Sequence, residues 1–339
     1  MNLDDLLSTE VAIPEPAGEP ASYEIADFPR AIDNTMRSTF NSCAGKFAYA
    51  HLAGIAPIKK SIHLEAGGAF ASGIEHARKA FYVEGKPESE SVGIGAEALI
   101  RAWGTYEAPD DATKTLDRML GALDFYFSVF PMSQDYVVPY MDPNGKMGIE
   151  FSFAVPLPIA HPQSGDPIIY CGRFDMLGLH KNGSVLAVDE KTASQLGATW
   201  SRNWNLDSQF TGYIAGARSY NVPVAGAVIR GISILKTKYD SAEALIYRAD
   251  WEINRWYGQL LRDVTKMVAI WKAARAFQEA GRTWHNNVDM DWALDKSDCN
   301  AYGGCTYESL CRQQDPRSLI PIEFVKHFWD PQKRDAEAA

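Results

Sequence analysis

Residues 170–192 read Y-C-G-R-F-D-M-L-G-L-H-K-N-G-S-V-L-A-V-D-E-K-T, and the reading of the whole chain turns on them. Asn182-Gly183 is a strong hairpin signal, and apolar-rich runs flank it on both sides. The stretch therefore predicts two antiparallel strands, 168–180 and 184–193. Asp175 lies on the first, and Asp189 and Lys191 close the second. Side chains alternate along a strand, so Asp189 and Lys191 share a face while Glu190 points the other way. The unbroken apolar run 185–188 has the pattern of a strand covered on both faces. Acid-x-Lys triplets also occur on ordinary solvated hairpins, but a covered strand that stops abruptly in Asp-Glu-Lys fits that reading less well.

Two acids and a lysine on adjacent strands suit metal-assisted phosphodiester hydrolysis. Such a reaction needs a nucleophilic water and neutralisation of charge on a crowded phosphorus. Mg²⁺ or Mn²⁺ supplies both, and these hard ions prefer carboxylate oxygens. Asp175 and Asp189 are the expected ligands, with the Lys191 ammonium placed to orient water or stabilise developing charge.

Working outward, 148–156 alternates with a period of two and predicts a third strand, G-I-E-F-S-F-A-V-P. Its Glu150 is either a further metal ligand or an edge charge. Downstream, a helix over 206–220 places Gln209 and Tyr213 four residues apart on one face, as site groups or as a plain polar surface. Strand-like segments at 225–235 and 244–251 follow, then a long helix through Trp256, Leu260, Val264, Met267 and Trp271. Upstream, helices are expected from a cap at Asp33 or Asn34 through Met36, Phe40, Phe47 and Tyr49, then over 68–82, 96–103 and 113–130. The order predicts a mixed α/β layer with helices on a central sheet, not a doubly wound parallel fold. Residues 1–28, with Pro14, Pro16 and Pro20, read as a flexible acidic tail, and 330–339 as a second tail. Between them, 29–329 read as one domain: a helical part at about 35–130, a core at about 148–251, and a C-terminal helix with clustered cysteines at about 252–315.

The chain has 339 residues, 46% of them apolar, and a formal net charge of -10. Its mean hydropathy is -0.24. No run approaches the roughly 18 apolar residues of a membrane span. The acidic start M-N-L-D-D-L-L lacks the basic and apolar regions of a secretory signal, so a cytoplasmic protein is expected. The negative total argues against broad polyanion binding, although a local basic groove remains compatible with it. Arg202, flanked by Trp200 and Trp204, would suit stacking on unpaired bases, or the tryptophans are core anchors. Lys236 and Lys238 are candidate backbone contacts or solvated charges.

Four of the five cysteines lie toward the two ends: Cys43, then Cys299, Cys305 and Cys311. Buried thiols, a disulfide, structural Zn²⁺ and an iron–sulfur cluster all fit these residue types, although the spacing lacks the Cys-x2-Cys knuckle common in zinc sites. Cys171, inside the hairpin, reads as a core thiol.

G-R-F-D, V-D-E-K-T and Q-F-T-G-Y together resemble the RecB-like branch of the PD-(D/E)XK nuclease superfamily, which includes the CRISPR-associated Cas4 nucleases and the nuclease domain of AddB. The resemblance spans about 35–315 and looks closest to phage-encoded members. It implies a restriction-endonuclease-like core and a Mg²⁺- or Mn²⁺-dependent deoxyribonuclease, with exonuclease favoured. It implies catalytic roles for Asp175, Asp189, Lys191, Gln209 and Tyr213, and a [4Fe-4S] cluster on Cys43, Cys299, Cys305 and Cys311. The implied partners are DNA ends, single-stranded or duplex, and a phage recombination protein such as a single-strand annealing protein, in the cytoplasm of a bacterial host. One departure stands out: Ala71 occupies the place of a metal-binding histidine in G-G-A-F-A-S-G-I-E. Glu75, one turn on, is the expected stand-in, whereas His76 lies about 140° around the helix. A nuclease-derived subunit that holds DNA ends without cutting them is the alternative.

Overall fold

The computed structural model describes residues 21–59, 61–285, 299–300 and 304–333. In chain order the strands are β1 (Ala31–Ile32), β2 (Ile55–Pro57), β3 (Val137–Pro139), β4 (Ile149–Ala160), β5 (Pro167–His180), β6 (Val185–Ala193), β7 (Val224–Ile234), β8 (Tyr239–Tyr247) and β9 (Phe324–Lys326). The helices are α1 (Asn34–Ser42), α2 (Ala44–Phe47), α3 (Ile62–Arg78), α4 (Glu88–Trp103), α5 (Leu116–Val129), α6 (Ala198–Asn203), α7 (Ser208–Ser219), α8 (Asp250–Glu279), α9 (Glu308–Cys311) and α10 (Ile320–Glu323). Among the described residues no helix is long and apolar enough to cross a membrane.

The chain divides into two compact units. The larger takes 28–41, 60–269 and 330–339 and holds a seven-stranded sheet in the order β1-β5-β6-β7-β8, with β3 and β4 also pairing with β5. The β1/β5 and β6/β7 pairs are parallel and the others antiparallel, so this is the mixed sheet that the element order predicted. The expected hairpin is present. Gly183, at φ +86°, turns the chain between β5 and β6, while the His180 and Gly183 amides bond to Ser184 and His180 carbonyls. Val185, Leu186, Ala187 and Val188 are all buried, as a strand covered on both faces requires.

Helices α3, α4 and α5 cover one face, where Phe70, Ile74, Leu99, Met119, Leu123 and Tyr126 pack with Ile232 and Ile234 of β7. The α3 and α4 backbones meet at Gly73 and Gly95, where a Cβ on Gly95 would lie 2.5 Å from the Gly73 carbonyl oxygen. Helix α7 covers the opposite face, its Gly216 set against the Phe153 ring and its Gly212 against Tyr170 and Trp256. Strand β8 starts five residues earlier than its expected position, because the turn after β7 closes at once through Leu235 and Lys238.

The smaller unit takes 1–27, 42–59 and 270–329. Strands β2 and β9 pair antiparallel, and Tyr307 bonds to the Ile55 carbonyl at 2.7 Å. Tyr23 stacks on Trp284 at 4.8 Å and Tyr49 on Tyr307 at 5.5 Å, and these rings share the core with buried Ile25, Leu52, Ile55 and Leu310. Residues 21–28 are not a loose tail: Ile25 is 1% exposed, its amide bonds to Gln278, and the Ala26 carbonyl accepts from the Trp271 indole. Residues 1–20, which carry the rest of that expected tail, lie outside the described residues. The first helix also does not continue to Tyr49. Cys43 adopts an extended φ of -158° and caps α2 instead, its sulfur accepting from the Lys46 amide at 3.4 Å.

His51 sits in this core 7% exposed, with Nδ1 buried and without a hydrogen bond. Burial, helped by the nearby Lys46 charge, pushes its pKa down to about 4. The imidazole is therefore neutral in the fold, whereas the unfolded chain takes up a proton near pH 6.5. The stability this represents is complete above pH 6.5 and is lost as pH falls toward 4, by about 2–3 kcal/mol at pH 4.5. Urea unfolding at pH 7 and pH 4.5 should show His51→Gln losing less stability over that interval than the parent. Equal losses would show that His51 titrates normally.

Candidate active site

The site begins where two strands part. The β5/β6 ladder ends at Met176↔Val188, but β6 stays on β7 as far as Ala193↔Ser233. The Glu190 amide thus loses its partner on β5, and the Asp175 carboxylate supplies one, Oδ2 accepting at 2.8 Å. Asp189, 3% exposed, places Oδ2 2.6 Å from Lys191 Nζ. This short, buried contact is the one ion pair of the Asp189 carboxylate among the described residues. Asp175, Asp189 and Lys191 thus meet at the end of β6 as the alternation predicted.

Helix α7 closes the group. Gln209 Nε2 donates to Tyr213 Oη at 2.5 Å, and Lys191 Nζ lies 6.0 Å from the Phe210 ring centroid. Burial raises the Tyr213 pKa strongly, and the Asp189 and Asp175 charges raise it further, so the hydroxyl stays protonated. Asp175 is held well above the usual carboxylate range, first by burial and then by Asp189 and Glu190. Asp189 is raised by burial, against which Lys191 works. For Lys191, burial acts downward, but Asp189 and Asp175 prevail and raise it.

The reverse face of β6 holds what the sequence reading missed. Glu190, its side chain 1% exposed, receives Arg78 of α3 at 2.5 and 3.2 Å and the Tyr126 hydroxyl of α5 at 2.8 Å. Burial favours the neutral acid, but Arg78 outweighs it and brings the pKa to about 2. Arg230 of β7, opposite Glu190 in register, is fully buried and bonds bidentately to Asp135 at 2.6 and 2.7 Å. Arg78 gave no local signal, being 112 residues from its partner. Asp207 also escaped notice. It caps α7 through the Gln209 amide at 2.7 Å and adds negative charge near Asp189 and Lys191, and D-S-Q-F just before a helix was a readable cap.

Other expected ligands lie elsewhere. Glu150 stands across from Asp175 between the pairs Ile149↔Met176 and Phe151↔Phe174, but at φ +58°. That left-handed conformation is rare for a side chain of this size. Its carboxylate lies 3.4 Å from Arg173 Nε. Glu75 pairs with Lys79 one turn along α3, and His76 Nδ1 contacts the Ser72 carbonyl. Ala71, Glu75 and Arg78 follow one helical stripe, and Arg78 brings that stripe to β6. Trp200 is 8% exposed and packs over Gly231 of β7, an anchor rather than a free ring, and Trp204 lies between Trp200 and Phe210 at 5.4 and 5.6 Å. Arg202, Lys236 and Lys238 are exposed.

Among the described residues no three or more His, Cys, Asp or Glu are arranged as a metal-binding group. The Asp175–Asp189 pair nonetheless suits Mg²⁺ or Mn²⁺. Both acids are buried and raised in pKa, with one lysine to offset two carboxylates. Mg²⁺ typically takes one or two protein carboxylates and keeps its waters.

The cysteines form no disulfide. Burial pushes the Cys311 thiol up to about 11, and Cys43, Cys305 and Cys299 each raise it further. The other three expected thiols therefore lie within electrostatic reach of Cys311, as a neighbourhood and not a coordination sphere. Cys171 is a core thiol, 3% exposed, its Sγ 3.8 Å from the Ile32 carbonyl.

No protein-family model and no curated protein matches the chain. Among solved structures it aligns with a presumed exonuclease from Eubacterium rectale at 13% identity, over 80% of this chain and 94% of that one, with a TM-score of 0.42. It also aligns with SSO0001 at 10% identity, over 68% and 84%, with a TM-score of 0.25.

The buried ion pair behind the site yields a direct test. Arg78→Met leaves the Glu190 carboxylate buried without its main partner and should cost about 3–5 kcal/mol. Adding Glu190→Gln removes the stranded charge and should restore most of the loss. Urea unfolding of both variants decides: a double variant no more stable than Arg78→Met would mean Arg78 acts through packing alone.

Proposed function

We propose that this protein is a metal-dependent deoxyribonuclease with a restriction-endonuclease-like core, of the RecB-like kind its motifs resemble. The carrying observation is the meeting of Asp175, Asp189 and Lys191 at the β6 end, with both carboxylates buried and Asp189 ion-paired to Lys191. Asp175 and Asp189 would hold Mg²⁺ or Mn²⁺, which when bound supplies an activated water and charge neutralisation at phosphorus. Asp175 is held in place by the Glu190 amide, which donates to its Oδ2. Lys191, kept charged by both acids, stabilises negative charge on the non-bridging phosphate oxygens. Gln209 orients the Tyr213 hydroxyl, which stays protonated and serves as a hydrogen-bond donor to phosphate. The substrate is DNA, with ends favoured over internal sites, and the setting is recombination or repair of phage or mobile-element DNA in a bacterial cytoplasm. Cys43, Cys299, Cys305 and Cys311 would hold a [4Fe-4S] cluster, or else Zn²⁺, since the other three thiols all act on Cys311 and a cation would relieve that repulsion.

A second reading, a subunit that grips DNA ends without cutting, draws on Ala71 in place of a ligand and on Glu75 paired with Lys79. Titrating Mg²⁺ or Mn²⁺ into purified protein with labelled single-stranded and duplex DNA separates the two. Cleavage supports the first reading, and binding without cleavage supports the second.

Mn²⁺ should raise the melting temperature of the parent protein but not of Asp175→Asn or Asp189→Asn, since a ligand stabilises only the state that binds it. Lys191→Ala should keep the metal-induced rise and lose cleavage by roughly a hundredfold or more. A Lys191→Ala variant cutting at the parental rate would remove Lys191 from the mechanism.

Protein purified without oxygen should be brown and contain iron and acid-labile sulfide. Cys43→Ser should bleach it as Cys305→Ser does, with Cys171→Ser unaffected. Stoichiometric zinc in colourless protein would replace the cluster, and colour surviving in Cys43→Ser would detach Cys43 from the group.

A further inference from the structure

Lys114 is a cation in an unusual place. It lies in the segment before α5, is 6% exposed, and donates from Nζ to Thr192 Oγ1 at 2.8 Å. No carboxylate lies within ion-pair distance of it among the described residues, and burial alone acts on its pKa, downward, with no acid opposing. Three other buried cations of this unit have acids: Arg37 has Asp263, Arg78 has Glu190, and Arg230 has Asp135 and Glu243. Arg248, equally buried, instead donates to the Thr211 hydroxyl and to the Trp204 and Tyr247 carbonyls, whereas Lys114 has the Thr192 hydroxyl. Burying an ammonium without a counter-charge costs several kcal/mol. The position makes the cost larger, because Lys114 directly precedes Thr115, the cap at the positive end of the α5 dipole.

The hydroxyl that Lys114 meets belongs to the residue after Lys191. Thr192 is partly exposed, and residues 194–195 and 197–199 beyond it are exposed, so the Nζ–Oγ1 pair lies just beneath the surface at the end of β6. Strands β6 and β7 run parallel to this end, and the carboxyl ends of parallel strands are where ligands reach such sheets. Arg118 of α5 bonds to the Leu235 and Lys238 carbonyls at the end of β7, which places the turn bearing Lys236 and Lys238 beside the start of α5. In a chain of net charge -10, this gathers four basic residues at the strand end that carries Lys191.

We propose that Lys114 and Thr192 form an anion subsite that receives a substrate phosphate flanking the one held at Asp175 and Asp189. The missing counter-charge of Lys114 is thus delivered by the ligand. A phosphate there accepts from the ammonium and from the threonine hydroxyl, while Lys191, on the opposite face of the strand, is left to the reacting group. Lys236 and Lys238 line the approach as solvated charges. The proposal rests on the nuclease reading for the identity of the anion.

The test uses Lys114→Met, which keeps the length of the side chain and removes its charge. Binding of fluorescein-labelled single-stranded and duplex oligonucleotides is measured by anisotropy in chelator, across a salt series. Affinity should fall about tenfold for all sequences. The slope of log affinity against log salt should shrink by about one phosphate contact. The melting temperature should stay level or rise, because an uncompensated buried charge has been removed. Thr192→Val, the second variant, should weaken binding in the same direction by a smaller factor, and Lys114→Arg should restore the parental slope. Unchanged affinity and slope in Lys114→Met overturn the subsite. Should the parent bind no DNA, the nuclease reading falls, and pyrophosphate then judges the subsite. A melting-temperature rise with pyrophosphate in the parent, absent in Lys114→Met, sustains an anion site, and no rise in either overturns it.

Discussion

Glu190 joins the two faces of the sheet. Its amide is held by Asp175 on the front, and its carboxylate is held by Arg78 and Tyr126 on the back. The bond to Asp175 could not form if the β5/β6 ladder continued, because the amide would then be spent on the neighbouring strand. Ending the ladder at Val188 releases that amide and gives the Asp175 side chain a reason to turn toward it. A buried carboxylate is tolerable only with a charged partner, so helix α3 must deliver Arg78 to the same point. The register of the hairpin, the seating of α3 and the aim of Asp175 are therefore one constraint seen from three sides.

The two faces treat charge in opposite ways. Behind the strand, each acid has its arginine and the charges cancel, which fixes Glu190 ionised with a pKa of about 2. In front, Asp175 and Asp189 repel each other in a dry setting with one lysine between two acids, and both are raised. A stable core has no use for that imbalance, and perturbed acids of this kind gather at sites that await a cation or a reacting group. Lys114 shows the converse imbalance, a buried cation short of an anion, at the same end of the sheet.

The smaller unit is organised on other terms. Its core combines stacked rings, Tyr23 on Trp284, Tyr49 on Tyr307 and Tyr307 on Phe324, with buried aliphatic side chains such as Ile25, Leu52, Ile55, Leu310 and Ile320. Tyr49 and Cys311 interact directly, and three further thiols act on Cys311. An extended residue at 43, where periodicity alone predicted unbroken helix, brings a thiol near this group.

Local rules carried the hairpin a long way. Period-two alternation put Asp189 and Lys191 on one face and Glu190 on the other, a four-apolar run marked β6 as covered, and i, i+4 spacing joined Gln209 to Tyr213. Each of these follows from backbone geometry within a dozen residues, so sequence suffices for it. The partners of those residues did not follow. Arg78 for Glu190, Lys114 for Thr192 and Arg173 for Glu150 depend on which helix lands on which strand, and on a left-handed kink at one residue that no periodicity records. Sequence determined the faces, because a peptide's alternation is built into its covalent geometry. Tertiary structure decided the pairings, because electrostatic partners are chosen by distance in space, and distance in space is set only when the whole sheet and its helices have packed.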